Sequence, residues 1–267
     1  MELDLRTTTP TLCALLGISP PAANSAHPHD EVLEAARNEG TDTIERCLVY
    51  SPDAVGRFLV KRFPAAIHTV AKVAPVQVFL RSVVPPKTPV CFASMWTGAQ
   101  PEAHGITRYE RPVLRIDTIF DALSRAGRRT TIVAVHNSSM DIIFRNRAID
   151  YYSEPYDHEV SSRAIELLAR KEHEVIFVYH CEYDDTLHRT TPLSEEGIRA
   201  IHQHVESFRV LAEAWNKYWV GYTRMIMFAP DHGAHVDPAT GHGDHGLEIA
   251  EDMELVHFYG FAVPSRQ

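Results

Sequence analysis

Three short apolar runs, each stopping at an acidic or imidazole residue, constrain this chain more than any other feature. Residues 47–51 (CLVYS) lead directly to Pro52 and Asp53. Residues 175–181 (VIFVYHC) lead to the polar stretch YDDTLHR, which carries Asp184 and His188. Residues 225–228 (MIMF) lead through Ala229 and Pro230 to Asp231, His232 and Gly233. Short runs rich in β-branched and aromatic residues, bounded by turn formers, read as buried strands. An Asp after a single strand is ordinarily a turn former or a helix cap. Three such endings in one chain point instead to a site at the carboxyl edge of a sheet, where open α/β sheets place their ligands.

Helix signals alternate with these runs. Residues 30–38, 54–62, 117–126, 160–170 and 194–218 read as helices, and residues 130–135 as a further strand. In the helix at 117–126, Ile119, Phe120 and Leu123 have helical spacing and Asp117 is the expected cap. Glu195 and Glu196 suit the first turn of the last helix. Such alternation implies α/β architecture: a mostly parallel central sheet with helices on both faces. No internal repeat, low-complexity segment or linker divides the chain, so residues 1–267 are read as one domain.

Composition narrows the partners. The chain has 26 Lys and Arg against 35 Asp and Glu, a formal net charge of −9. That balance argues against a nucleic-acid duplex or an anionic membrane as the main partner. No apolar run approaches the roughly 20 residues needed to span a bilayer. The start, MELDLRTTTPTLCALLGISPP, lacks a basic leader and a long apolar core, so it reads poorly as a signal peptide. Cys13, Cys47, Cys91 and Cys181 have no CxxC spacing and read as buried free thiols of a cytoplasmic protein. Oligomeric state is left open.

The residues at the strand ends are metal-ligand types. Asp184 and His188 are four apart, so a helical turn places both on one side. The segment 229–246, APDHGAHVDPATGHGDHG, holds Asp231, His232, His242 and His245 among glycines that let the backbone bring them together. His and Asp together suit zinc, with manganese or iron as alternatives. Two such ions suit phosphoryl transfer, because they neutralise the transferring group and stabilise both reacting oxygens. A protein nucleophile would then be a hydroxyl or thiol. Residues 85–106 offer Thr88, Cys91, Ser94 and Thr97, and spacing alone does not choose among them.

The segment from Thr88 to Ile106, ending TGAQPEAHGI, resembles the nucleophile region of the alkaline phosphatase superfamily, in its type I phosphodiesterase/nucleotide pyrophosphatase and phosphonoacetate hydrolase branch. The later motifs follow in the same order over about residues 47–260. By that resemblance Thr88 is the nucleophile and forms a phospho-threonine, which water then releases from the opposite face. Asp184, His188 and His245 would hold one divalent ion. Asp53, Asp231 and His232 would hold the other, with Thr88 as an additional ligand. His245 is preferred to His242 on the family match. Three carboxylates against two divalent ions leave the centre net positive, so an acidic protein can still attract a phosphorylated small molecule. The implied activity is phosphoester hydrolysis of a diester or pyrophosphate bond. A phosphomonoesterase or phosphonate hydrolase is the nearest alternative, and a phosphomutase or a non-catalytic metal-binding protein lies further off.

Two departures stand out. Cys91 occupies the place where the family has an Asn that contacts the phosphoryl oxygen, and a thiol is a weak donor. The interval from Thr88 to Asp184 leaves room for only a minimal cap. Residues 10–21 resemble a segment that relatives carry near the carboxyl end, which would bring the chain ends together. The remaining polar residues read blandly: His104 and His180 as core histidines, Asp185 as solvated or capping, His235 and Asp244 as loop residues. Glu248, Glu251 and Asp252 read as a solvated helix face.

Overall fold

The computed structural model describes residues 3–264, so Met1, Glu2 and the last three residues of the expected 1–267 domain lie outside the described residues. A seven-stranded sheet forms the centre, in the order β2-β9-β6-β1-β5-β3-β4. Its strands are β1 (Arg46–Pro52), β2 (Val76–Arg81), β3 (Thr130–Val135), β4 (Asp150–Glu154), β5 (Val175–His180), β6 (Arg224–Phe228) and β9 (Glu254–Ala262). A small antiparallel ribbon, β7 (His235–Val236) with β8 (Gly243–Asp244), lies between β6 and β9. Strand β9 runs antiparallel to both β2 and β6, and every other pairing in the large sheet is parallel. The six remaining strands therefore point the same way. Those of β2, β6, β1 and β5 end on one edge.

Helices α1 (Thr8–Leu16), α2 (Asp30–Asn38), α3 (Arg57–Arg62), α4 (Pro64–Val73) and α5 (Thr88–Thr97) belong to the first half of the chain. The single turn α6 (Pro101–His104), α7 (Ile119–Arg125) and the single turn α8 (Ser139–Ile142) follow. The second half holds α9 (Asp157–Arg170), α10 (Glu182–Arg189), α11 (Glu195–Trp219) and the short α12 (Ala250–Met253). Side chains alternate across a strand, and β5 shows that both faces are covered. Phe177 packs on Trp96 of α5 and Phe120 of α7, with ring centroids 5.0 and 4.9 Å apart. Tyr179 meets Phe92 of α5. One residue further, His180 points the other way, onto Tyr50 of β1 and His204 of α11. Every residue of β3, β5 and β6 is buried, as a sheet covered on both sides requires.

The differences from the sequence reading have local causes. The helix expected from residue 54 starts at Arg57. Ala54 instead takes a left-handed φ of 63°, which turns the chain away after Asp53. The helix expected from residue 117 is capped by Thr118, whose side chain and that of Asp121 form a reciprocal capping box. Asp117 pairs with Arg125. Strands β2, β4 and β9 and helix α4 add elements that the alternation alone did not delineate. Thr8 of α1 lies 3.5 Å from His257 of β9, so the two ends of the described chain do meet. All four cysteines are free and buried. Among the described residues no helix is long and apolar enough to cross a membrane.

Candidate metal centre

Strand order alone brings the distant motifs together. β1 lies between β5 and β6, with Pro52 opposite His180 and Tyr50 opposite Phe228. The residues just past these strands are Asp53, helix α10 with Asp184 and His188, and Asp231 with His232. Strand β2 ends on the same edge, and the loop after it delivers Thr88 as the first residue of α5, with Lys87 at the cap position. The helix presents its N-terminus, an anion-binding end, to that edge.

Two triads result. Asp53, Asp231 and His232 form one, and Asp184, His188 and His245 the other; in each, the ligand atoms lie within 4.8 Å of one another. His232 Nε2 stands 3.3 Å from Asp53 Oδ1 and 3.4 Å from Asp231 Oδ2. Asp184 Oδ1 is 3.4 Å from His188 Nε2 and 3.5 Å from His245 Nε2. The rings of His232 and His245 stack at 3.9 Å and join the triads. Thr88 Oγ1 lies 3.1 Å from His232 Nε2. His242 is exposed and belongs to neither triad.

The unshared nitrogens define the ligand atoms. His232 Nδ1 meets the Gly233 carbonyl at 2.9 Å, His245 Nδ1 the Pro86 carbonyl at 2.9 Å, and His188 Nδ1 the Gly243 carbonyl at 3.1 Å. A carbonyl only accepts, so each Nδ1 carries the proton and each Nε2 lone pair faces the centre. This is how metal-binding imidazoles are oriented. The carboxylates agree. Asp53 Oδ1, Asp184 Oδ1 and Asp231 Oδ2 are buried and carry no hydrogen bond. Buried polar atoms are otherwise nearly always paired, so three such oxygens beside three inward-facing imidazole nitrogens fit divalent cations.

Electrostatics make the same point. Burial, reinforced by Asp231 and Asp184, pushes the Asp53 carboxyl well above its usual range. Burial raises Asp231 likewise, against the opposing Ala54 N–H. Asp184 is also pushed up by burial, but the closeness of His188, His245 and His232 pulls it down to about 2. Burial holds His232 well below its usual value and therefore neutral. Carboxylates this crowded are relieved by a cation at their centre.

Several supporting residues were not legible in the sequence. Tyr179 donates a short hydrogen bond to Asp53 Oδ2. Lys87 Nζ lies 3.3 Å from Asp244 Oδ1, which also accepts from the His245 N–H at 2.7 Å. Asp252 is wholly buried, which corrects its reading as part of a solvated helix face. Its Oδ2 accepts from the Gly246 and Leu247 N–H groups at 2.8 and 2.9 Å. Its Oδ1 is 2.8 Å from His235 Nδ1, and its carbonyl accepts from Gly233 N–H. It thus ties the His232 and His245 segments together, and His235 and Asp244 are framework rather than free loop. Gly233 is required at this junction, since an added Cβ would sit 1.9 Å from the Glu251 carbonyl oxygen. Cys91 Sγ is 3.1 Å from Ser82 Oγ, which in turn donates to the Asp231 carbonyl. His104 bonds Ser94 and the Ile106 N–H, a core role as expected. Asp185 accepts from Tyr156 Oη.

A family model for type I phosphodiesterase / nucleotide pyrophosphatase matches residues 48–235. Among solved structures, murine ectonucleotide pyrophosphatase/phosphodiesterase 5 superposes with a TM-score of 0.59 at 19% identity, over 73% of this chain and 59% of that one. That structure is of an inactive threonine-to-alanine variant in complex with AMP. The human protein gives 0.56 at 18% identity, over 71% of this chain and 57% of its own. Phosphonoacetate hydrolase from Sinorhizobium meliloti, bound to phosphonoformate, gives 0.53 at 15% identity, over 72% and 57%. These likenesses show the fold, and the chain spans less than two thirds of the length of each. No sequence among the curated proteins matches the chain.

Proposed function

The chain belongs to the type I phosphodiesterase / nucleotide pyrophosphatase family of metal-dependent phosphoester hydrolases, and on that premise we propose that it cleaves a phosphodiester or pyrophosphate bond through a Thr88 phospho-enzyme. The observation that carries this reading is the placement of Thr88 at a helix N-terminus, 3.1 Å from His232 Nε2, beside two triads with unpaired carboxylate oxygens.

Asp184, His188 and His245 would hold one divalent ion, and Asp53, Asp231 and His232 the other, with Thr88 as a further ligand to the second. Bound there, the ions would lower the pKa of the attacking hydroxyl and neutralise charge on the phosphoryl oxygens and the leaving group. Zinc suits this donor set, with manganese or iron as alternatives. Thr88 Oγ attacks phosphorus in line with the departing oxygen, and its proton is lost to solvent. The N-terminus of α5 favours the anionic group in its pocket. Water then attacks the phospho-threonine from the face the leaving group vacated and regenerates the hydroxyl. His188 is exposed, so the centre opens to solvent on that side. Such access favours hydrolysis over retention of the phospho-enzyme. The murine protein was inactivated by replacing a threonine with alanine and binds AMP; here Thr88 would be the corresponding residue and a nucleoside phosphate a reasonable substrate class.

The test is hydrolysis of bis-p-nitrophenyl phosphate and p-nitrophenyl phosphate by the zinc-loaded chain and by Thr88→Ala. Diester cleavage that falls at least ~1,000-fold in the variant, with metal content unchanged, supports the reading. Preference for the monoester moves it toward a phosphatase. Full turnover by Thr88→Ala refutes the nucleophile.

A further inference from the structure

A third group of ligand-type side chains lies away from the centre. Asp157 at the start of α9, His180 at the end of β5 and His204 on α11 bring a carboxylate oxygen and two ring nitrogens within 4.8 Å of one another. All three are buried. By spacing alone this would be another metal site, but the hydrogen bonds decide otherwise.

Asp157 Oδ1 accepts from the Cys181 N–H, and Oδ2 from the Glu182 N–H, each at 3.0 Å. The Tyr183 N–H donates to His204 Nε2 at 3.2 Å. A neutral imidazole that accepts at one nitrogen carries its proton on the other. His204 Nδ1 therefore donates to Tyr50 Oη at 3.0 Å. Tyr50 donates in turn to His180 Nδ1 at 3.1 Å, leaving His180 Nε2–H to donate to Ser161 Oγ at 3.2 Å. The bonds run one way, and each donor finds an acceptor. Burial holds His180 at about 3 and His204 at about 4, so both are neutral as this pattern needs. The two triads of the centre each leave carboxylate oxygens unpaired, whereas no polar side-chain atom of this group lacks a partner.

What the group holds is the beginning of α10. A helix leaves its first N–H groups without intrahelical partners. Here three consecutive ones, from Cys181, Glu182 and Tyr183, are taken by Asp157 and His204. The Asp157 carboxylate also sits at the positive end of the helix dipole. Asp184 follows immediately, and His188 comes one turn later. No side chain of the network bonds to Asp53, Asp231 or His232.

We propose that Asp157 and His204, oriented by Tyr50 and His180, are positioning residues for the Asp184–His188 half of the metal centre, and that this third triad takes no ion. The inference rests on the two-metal reading above.

Zinc titration of the full chain tests it, with Asp184→Asn and Asp231→Asn marking which equivalent belongs to which triad. The wild type should bind two equivalents. Asp157→Asn and His204→Gln should weaken by ~10–100-fold only the equivalent that Asp184→Asn removes. Tyr50→Phe, which deletes one oxygen and breaks only the relay, should act in the same direction by less. A third equivalent lost in Asp157→Asn overturns the proposal, as does equal weakening of both equivalents or of neither. Hydrogen exchange on the metal-free chain reads the anchor by itself. The amides of residues 181–184 should exchange faster in Asp157→Asn and His204→Gln while those of β1 and β6 do not, and unchanged exchange overturns the proposal. A wild type that takes up neither zinc, manganese nor iron overturns the functional reading first; normal uptake with unshifted variants overturns this inference alone.

Discussion

Asp252 gives the sharpest test of how the centre is assembled. Its buried carboxylate accepts from the backbone N–H groups of Gly246 and Leu247 and faces His235 Nδ1, all within 2.9 Å. Hydrogen bonds to a carboxylate contribute about 1.5–3 kcal/mol each, and an unsatisfied buried donor costs about 1–3 kcal/mol. Asp252→Ala removes three bonds and leaves two backbone donors and an imidazole facing a small void. Partial rescue by water reduces the sum, so destabilisation of about 4 kcal/mol is expected. Asp252→Asn should cost far less, about 1–2 kcal/mol. Its amide oxygen can still accept from Gly246 and Leu247, while its NH2 donates to His235 in the other tautomer. Urea unfolding of the metal-free chain measures both. Because Asp252 ties His245 to the His232 segment, Asp252→Ala should also weaken zinc binding, with Asn intermediate. A double-mutant cycle with His235→Ala should give a coupling of about 1–2 kcal/mol. If Asp252→Ala lies within 1 kcal/mol of wild type, or if Asn is as damaging as Ala, the reasoning from paired buried groups fails.

Other outcomes follow from the same geometry. Stripping metal with a chelator should lower the melting temperature, and zinc at ~1,000 times its Kd should restore about 4 kcal/mol per ion bound; a melting temperature indifferent to both would refute the donor set. Tyr179→Phe removes the hydroxyl that bonds Asp53 and should weaken metal binding by ~10-fold or more, read by competition with a chromophoric chelator; unchanged affinity would show that Tyr179 only packs. His204 and His257 are held neutral by burial, at about 4 against 6.5. The unfolded chain binds their protons first, so this stability is whole above pH 6.5 and is lost as pH falls toward 4, by about 3 kcal/mol per histidine. Acid unfolding of the metal-free chain should therefore begin below pH 6.5, and His257→Gln should flatten the decline; an identical pH profile in the variant would contradict the assignment.

Much of this architecture is written locally. The runs at 47–51, 175–180 and 225–228 are too apolar to be anything but buried, and all three became central parallel strands. Asp184 and His188 needed only helical spacing to share a face, and α10 supplies it. The framework residues left no such trace. Asp252 sits beside Glu251 in a charged stretch, and its burial depends on the preceding Gly246–Leu247 turn folding back over it and on His235 reaching it from the segment after β6. Tyr179 looked like one more core aromatic of β5. His180 and His204 lie 24 positions apart in the sequence, and only the packing of β5 against α11 brings them together on Tyr50.

By itself the sequence determined which segments are buried, which residues can ligate a cation, and, through the order of its motifs, the family to which they belong. Tertiary structure decided the rest: that β1 lies between β5 and β6, that His245 rather than His242 turns inward, and that Asp157, though close to two histidines, caps a helix. The reason is physical. Burial and ligand chemistry are properties of a residue and its neighbours in the chain. The pairing of a buried donor or acceptor depends on atoms that only strand order and packing bring within 3 Å.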